Sequence, residues 1–328
     1  MVIDTHIHII VPEITLEAAP HETWRPSVTW ENDEQVVIAG GRRMRSVLRP
    51  YSDIEKILEE QDKAGVDHIL LSPWSALFKY DSEPEEGLRI SRIQNEALAG
   101  LAQKYDRVSA LGTVPLQDIP LAIQELRNLM QEPGLCGIEI AASVRDVFVG
   151  DDSFRPFWAA VEEMGALVFI HPTTGGLGIS ALEDYYMNNS VGNPLETAVV
   201  AAQMVMAGVM EEHPSLKVLL AHGGGAVLGI RGRIRHAHSF QPSAQKRLKE
   251  SPIDSLKRFY YDTVVHDETL LKQLIEFAGE DHVVVGSDYP YDMGYMQPAE
   301  LVRSLGLPPE SEEKILGGNA ARLIGMDS

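Results

Sequence analysis

The sequence has a single cysteine, Cys136, and no apolar run long enough to cross a membrane. One cysteine cannot form an internal disulfide, which suits the reducing cytoplasm. A transmembrane helix would need about 18 consecutive apolar residues, and no such stretch is present. The first residues, MVIDTHIHII, also lack the basic segment and the cleavage site of a secretory signal. We therefore expect a soluble, cytoplasmic protein.

Basic residues are scarce relative to acidic ones. The chain carries 28 Lys and Arg against 48 Asp and Glu, a net charge of −20. This imbalance argues against nucleic acid and against an anionic membrane surface as partners. If the substrate is itself an anion, local arginines must overcome the overall negative field.

Apolar, β-branched runs alternate with amphipathic patterns along all 328 residues. Most of the strand-like runs are continuously apolar, which is typical of parallel strands covered on both faces. Strands are predicted at 2–8, 67–74, 108–115, 137–143, 166–172, 216–222, 259–265 and 283–288. Helices are predicted at 52–65, 88–104, 118–130, 153–164, 194–211, 224–236, 267–279, 298–305 and in a tail near 311–324.

This alternation predicts an α/β fold, a (β/α)8 TIM barrel, rather than an open sheet. Such barrels routinely span about 250 residues as one unit, so we predict a single domain over 1–328. One connection departs from the regular alternation. It spans residues 10–50 and is far longer than the usual loop of about 2–6 residues. We interpret them as a small inserted β-lobe after the first strand, placed over the barrel mouth where active sites form.

Five metal-competent side chains fall at predicted strand ends. His6 and His8 are two residues apart on the first strand, so they point to the same face. His171 ends the fifth strand, His222 the sixth and Asp288 the eighth. A lone histidine at a strand end is usually structural, but the ends of barrel strands ring one opening. Imidazoles with a carboxylate suit one divalent ion, with zinc the default and manganese or iron the alternatives.

Several motifs together resemble the aminocarboxymuconate-semialdehyde decarboxylase family of the amidohydrolase superfamily. They are DTHIH, the HP after the fifth strand, AHGGGA, FYYDTVVHD, VVGSDYP and GNAARLIG. The likeness covers essentially the whole chain. DTHIH alone is weak, since many amidohydrolases share that pattern, whereas AHGGGA followed by the seventh- and eighth-strand motifs is specific.

The resemblance implies that His6, His8, His171 and Asp288 ligate the metal. His222 would stay unligated, close enough to a metal-bound water to act as general base or acid, so His222 and Asp288 are the predicted catalytic residues. Histidine suits such work near neutral pH, and a catalytic metal keeps an open position for water. From the residues alone, His222 as a fourth imidazole ligand remains an alternative.

Arg45 matches a family arginine that binds a substrate carboxylate. It lies in the arginine-rich run GGRRMRSVLRP over the predicted mouth, and guanidinium groups bind carboxylates bidentately. A second family arginine, contributed across a homodimer interface, is replaced here by Gln241, and a family tryptophan near the pocket by Asn189. These departures predict a substrate whose second polar group differs from that of the family's best-known substrate.

We therefore predict a metal-dependent, non-oxidative decarboxylase, a carbon–carbon lyase for a small unsaturated or aromatic carboxylic acid. The same site chemistry leaves two enzymatic alternatives: a hydrolase of an amide, lactone or ester, and a hydratase of an unsaturated dicarboxylate. A catalytically silent barrel that binds a small acid is a third. The presence of all five site residues argues against a silent barrel, because such a protein does not need an open metal site.

Overall fold

Eight parallel strands form the centre of the molecule. The computed structural model describes residues 1–15, 25–31, 34–39, 42–44, 52–172 and 177–326. The strands are β1 (Ile3–Ile9), β2 (His68–Pro73), β3 (Val108–Gly112), β4 (Leu135–Ala141), β5 (Leu167–His171), β6 (Lys217–Leu220), β7 (Tyr260–Asp262) and β8 (Val283–Val284). Each pairs with its neighbours in chain order, as the alternating pattern predicts.

The last strand returns to the first and closes the sheet. The Thr5 amide donates a 2.9 Å hydrogen bond to the Val285 carbonyl, and the Asp288 amide donates one of 2.8 Å to the His6 carbonyl. These bonds hold β1 against the segment that follows β8. The predicted (β/α)8 barrel is therefore confirmed.

A helix of 7 to 21 residues follows each strand, and shorter helices lie between some of them. The helices are α1 (Ile54–Lys63), α2 (Pro84–Lys104), α3 (Ile119–Leu129), α4 (Arg155–Met164), α5 (Asn193–Met206), α6 (Val227–Phe240), α7 (Glu268–Ala278) and α8 (Pro298–Ser304). Asp53, Asp118 and Asp267 cap α1, α3 and α7 by accepting a hydrogen bond from a first-turn amide. The helix predicted at 194–211 is interrupted at Gly208, whose φ of 80° ends α5, and a short helix follows at Val209–Glu212.

Both faces of the strands are buried, which explains their continuous apolar runs. Inside the barrel, Leu70, Leu111, Leu167, Phe169 and Leu219 pack together. The outward side chains of the same strands join a larger core beneath the helices. The apolar layer inside the barrel ends just below the polar side chains at the carboxyl ends of the strands.

The described part of the predicted lobe forms a separate antiparallel sheet. Its strands are Ser27–Glu31, Glu34–Ala39 and Arg42–Met44. Arg45 lies outside the described residues. The limits of the lobe and the single-domain organisation stay predictions. A two-stranded hairpin after β4, formed by Ser143–Val144 and Val147–Phe148, was not predicted. Within the described ranges, no helix is long and apolar enough to cross a membrane.

Candidate active site

The carboxyl ends of β1, β5, β6 and β8 bring five polar side chains to one opening. His6 and His8 lie on β1 and His171 is the last residue of β5, while His222 and Asp288 follow β6 and β8. The imidazole of His6 lies 5.0 Å from that of His8 and 5.3 Å from that of His171, measured between ring centres. The structure thus brings together all the site residues predicted from strand ends.

Four of these side chains present atoms that fit a metal ion. One ligand atom from each of His6, His8, His171 and Asp288 lies within 4.8 Å of all the others. The Nε2 atoms of the three histidines and Oδ1 of Asp288 are buried, with no hydrogen-bond partner among the described residues. Buried polar atoms almost always have a partner, so four unpaired atoms facing one point indicate a ligand. Three imidazoles and a carboxylate suit a divalent ion such as zinc or manganese.

The Nδ1 atoms of His6 and His171 lie within hydrogen-bonding distance of oxygen atoms. Nδ1 of His6 lies 2.7 Å from Oδ2 of Asp262. Nδ1 of His171 lies 2.8 Å from the carbonyl of Pro172. Carbonyls and ionised carboxylates only accept hydrogen bonds, so in both rings Nδ1 carries the hydrogen. Nε2 then has a free lone pair directed at the metal position, as is usual for metal-bound histidines.

Two buried carboxylates behind the site were missed by the sequence reasoning. Asp262 contacts His6, and Oε2 of Glu139 lies 3.5 Å from Nδ1 of His8. Glu139 is fully buried within the apolar strand β4, and Asp262 ends β7. A lone acidic residue inside a continuously apolar strand was a usable signal in both cases, because a charge is buried only where a partner stabilises it.

His222 approaches the site from the loop after β6. Its Nε2 atom lies 3.4 Å from Oδ2 of Asp288, whereas its Nδ1 atom is buried without a hydrogen-bond partner in the described part of the chain. The residue has a positive φ of 57° and is followed by three glycines. This loop therefore places the imidazole beside the four ligand atoms without adding its own nitrogen to the group.

The buried charges shift the pKa values of the site in opposite directions. Burial lowers the pKa of His171 well below its usual value, and the neighbouring histidines reinforce this. For His6 in the absence of a metal ion, burial also acts to lower the pKa, but the charges of Asp288 and Asp262 outweigh it and raise the pKa to about 10, so a metal ion must displace a proton from Nε2 when it binds. Burial acts to raise the pKa of Asp288, but the neighbouring histidines hold it well below its usual value. Asp288 is therefore an anion, the form in which a carboxylate can bind a metal ion.

A cavity of about 190 Å³ adjoins His222. Its lining combines apolar side chains with polar ones. It consists of Asn189, Ser190, Asn193, Pro194, His222, Gly225, Val264, Val265, His266, Leu270 and Met293. No lysine or arginine is among these described lining residues. Gln241 lies outside this lining, exposed just after the end of α6.

Comparisons with known proteins agree with this geometry. The sequence profile of the amidohydrolase family matches residues 3–326. A 2-amino-3-carboxymuconate-6-semialdehyde decarboxylase of Dictyostelium discoideum is 33% identical over 290 residues, which are 88% of this chain and 80% of that protein. The crystal structure of 5-carboxyvanillate decarboxylase from Sphingomonas paucimobilis is 26% identical with a TM-score of 0.83, covering 99% of this chain and 98% of its own. A 5-carboxyvanillate decarboxylase of Novosphingobium aromaticivorans, crystallised with manganese, is 21% identical with a TM-score of 0.83, covering 99% and 97%.

At the carboxyl ends of its strands, where barrel enzymes have their active sites, the closed barrel carries four converging side-chain atoms that suit a divalent metal ion. The chain belongs to the amidohydrolase family. Within that superfamily it is a metal-dependent carboxy-lyase, a non-oxidative decarboxylase of small carboxylic acids. This confirms the family, the enzyme class and the general reaction predicted from the sequence.

Proposed function

We propose that His6, His8, His171 and Asp288 hold one divalent ion, and that His222 supplies the proton for the decarboxylation of a small aromatic or unsaturated acid. Zinc is the proposed ion and manganese the alternative. The observation that carries the proposal is the set of four buried ligand atoms without partners among the described residues. When bound, the ion supplies a Lewis acid that polarises a substrate oxygen.

The reaction consumes one proton in each turnover. The bond between the substrate carbon and its carboxylate breaks, carbon dioxide leaves, and the electron pair left on the carbon takes up a proton. His222 is the group we assign to this step, because its imidazole stands beside the ligand atoms and histidine exchanges protons near neutral pH. Asp288 lies 3.4 Å from His222, between Oδ2 and Nε2, and orients the ring toward the metal position.

The relatives and the cavity together support the proposed substrate class. The relatives named above act on 5-carboxyvanillate, an aromatic acid, and on an aminocarboxymuconate semialdehyde, an unsaturated one. Arg45 is proposed to bind a carboxylate of the substrate. Since Gln241 replaces the second family arginine and the described cavity lining contains no lysine or arginine, we propose that the far end of the substrate carries a neutral polar substituent, such as a hydroxyl group.

This assignment is tested by measuring carbon dioxide release from matched pairs of acids. Each pair shares one carboxylate that can leave and differs at the far end, where one member carries a hydroxyl group and the other a second carboxylate. We expect the hydroxylated acids to be turned over with the higher kcat/KM. Preference for the dicarboxylates would contradict the neutral subsite. Product formation that needs water but releases no carbon dioxide would favour the hydrolase or hydratase alternatives.

A homodimer in the cytoplasm completes the proposal. Its support in the structure is a set of exposed large apolar side chains, among them Val199 on α5 at 38% exposure and Phe240 at the end of α6 at 55%. Apolar side chains mark a protein interface where they form a contiguous patch, which is what the proposed dimer requires of these residues. Light scattering during size-exclusion chromatography should give twice the chain mass of 36.2 kDa, and a single chain mass would contradict the dimer.

A further inference from the structure

The carboxylate of Asp262, at the end of β7, is fully buried. Both of its oxygens accept hydrogen bonds. Oδ2 accepts hydrogen bonds from Nδ1 of His6 at 2.7 Å and from the backbone amide of His222 at 2.9 Å. Oδ1 accepts from the amides of Gly223 at 2.7 Å and Val264 at 3.0 Å. A single side chain therefore contacts both a proposed metal ligand and the backbone of the proposed proton donor.

The backbone at His222 needs such support. His222 and Gly223 both have positive φ, at 57° and 60°. A residue with a side chain is strained in this left-handed conformation, so the surrounding structure must hold it there. Successive amides in such a turn point toward one anion and form a binding nest. Here the carboxylate of Asp262 occupies that nest. It therefore fixes the backbone position from which the imidazole of His222 extends.

We propose that Asp262 is a positioning residue that couples metal binding to the placement of His222. Its bond to His6 orients the ring that faces the metal, and its bonds to two amides hold the loop that carries His222. This role rests on the proposed function in one respect, the assignment of proton delivery to His222. The bond to His6 is independent of that assignment.

Glu139 provides a matched comparison inside the same site. It is also fully buried and lies behind a histidine of β1, with Oε2 3.5 Å from Nδ1 of His8. Its described contacts do not include the His222 loop. Removing its charge should affect the metal without moving the proton donor. Glu125 is a second control, since it is buried but its described contacts are with Arg92 and Asn95 between α2 and α3 and not with a site histidine.

The test compares Asp262→Asn, Glu139→Gln and Glu125→Gln in the full-length protein. Metal affinity is measured by equilibrium dialysis against a competing chelator with zinc and manganese, and kcat is then measured at saturating metal. Loss of a partner behind a metal-bound histidine typically weakens metal affinity by about 10–100-fold. We expect that loss for Asp262→Asn, together with a kcat that stays about 10-fold or more below wild type at saturating metal and an unchanged KM. Such a residual loss is of the size that follows when a catalytic group is slightly displaced.

The controls separate positioning from general stability. Glu139→Gln should bind metal more weakly but recover its kcat when metal is saturating. Glu125→Gln should lower the Tm and leave metal affinity and kcat unchanged. If Asp262→Asn does not fold, Asp262→Glu keeps the buried anion, moves it by one methylene group, and should show the same pattern.

Two results would overturn the coupling role. One is an Asp262→Asn protein with wild-type metal affinity, and the other is one whose kcat returns fully at saturating metal. A wild-type protein that releases no carbon dioxide from any acid would instead contradict the proposed function. In that case the dialysis and a crystal structure of the variant, which shows whether the His222 loop has moved, still decide the role of Asp262.

Discussion

The Nε2 atom of His222 lies 3.4 Å from Oδ2 of Asp288, although the two residues follow different strands of the barrel. The other oxygen of Asp288, Oδ1, is 3.3 Å from Nε2 of His6 and belongs to the group of unpaired ligand atoms. Asp288 thus faces the metal position with one oxygen and His222 with the other. Asp288, a proposed metal ligand, is thus in direct contact with His222, the proposed proton donor.

Replacing His171 by alanine should remove the metal. His171 contributes one of four ligand atoms, and its ring is oriented by the carbonyl of Pro172. We expect the purified variant to hold far less than one metal ion per chain and to lose the rise in Tm that added metal gives wild type. His213→Ala is the matched control, since that histidine pairs with Glu162 away from the site. Full metal content in His171→Ala would contradict the ligand assignment.

Replacing His222 by alanine should spare the metal and remove the activity. The residue stands beside the four ligand atoms without joining their group. Loss of a general acid typically lowers the rate by about 10²–10⁴-fold, so kcat should fall by that factor while metal content stays near wild type. Elemental analysis and carbon dioxide release measure the two quantities on the same sample. A variant that loses its metal would instead identify His222 as a fourth ligand.

Replacing Asp4 by asparagine should stabilise the metal-free protein in a pH-dependent way. Burial raises the pKa of Asp4 from 3.8 to about 7 in the folded state. The folded protein then keeps a proton that the unfolded chain releases, so wild-type stability falls as the pH rises between these two values. The Tm difference between Asp4→Asn and wild type should therefore grow from pH 4 to about 7 and then level off. A difference that is constant with pH would contradict the raised pKa.

Replacing Gly225 by alanine should disturb the loop that carries His222. Gly225 has a φ of 58°, and an added Cβ would lie 2.1 Å from the carbonyl oxygen of Pro194. We expect a lower Tm and a reduced kcat. Gly229→Ala is the control in the next helical turn, where the Cβ would meet nothing within 4 Å. Alanine there favours the helix by up to about 1 kcal/mol, so a similar loss in both variants would contradict the steric argument.

The barrel could be predicted because its signals are local. The apolar run FIHP identifies a buried strand and places His171 at its end, and the structure places β5 at Leu167–His171. The order of strands in a barrel then brings distant ends together without further information. Asp53 and Asp118 likewise mark helix starts through their capping side chains. The site residues on strand ends were accessible for the same reason.

The groups behind the site could not be predicted in the same way. The contact between Asp262 and His6 joins residues 256 positions apart, and its geometry depends on how the barrel closes. The positive φ of His222 also follows from tertiary contacts rather than from its own preference. Glu139 offered a signal, an acidic residue in an apolar strand, but its partner His8 became evident only once β4 and β1 were placed.

Decarboxylation should require one divalent ion held at the barrel mouth. The direct measurement is elemental analysis of protein purified without added metal, combined with carbon dioxide release from aromatic and unsaturated acids before and after chelation. We predict about one zinc or manganese ion per chain, and gas release that stops on chelation and returns when the metal is restored. Protein that binds no metal even after reconstitution, or that releases carbon dioxide equally well without it, would contradict the account.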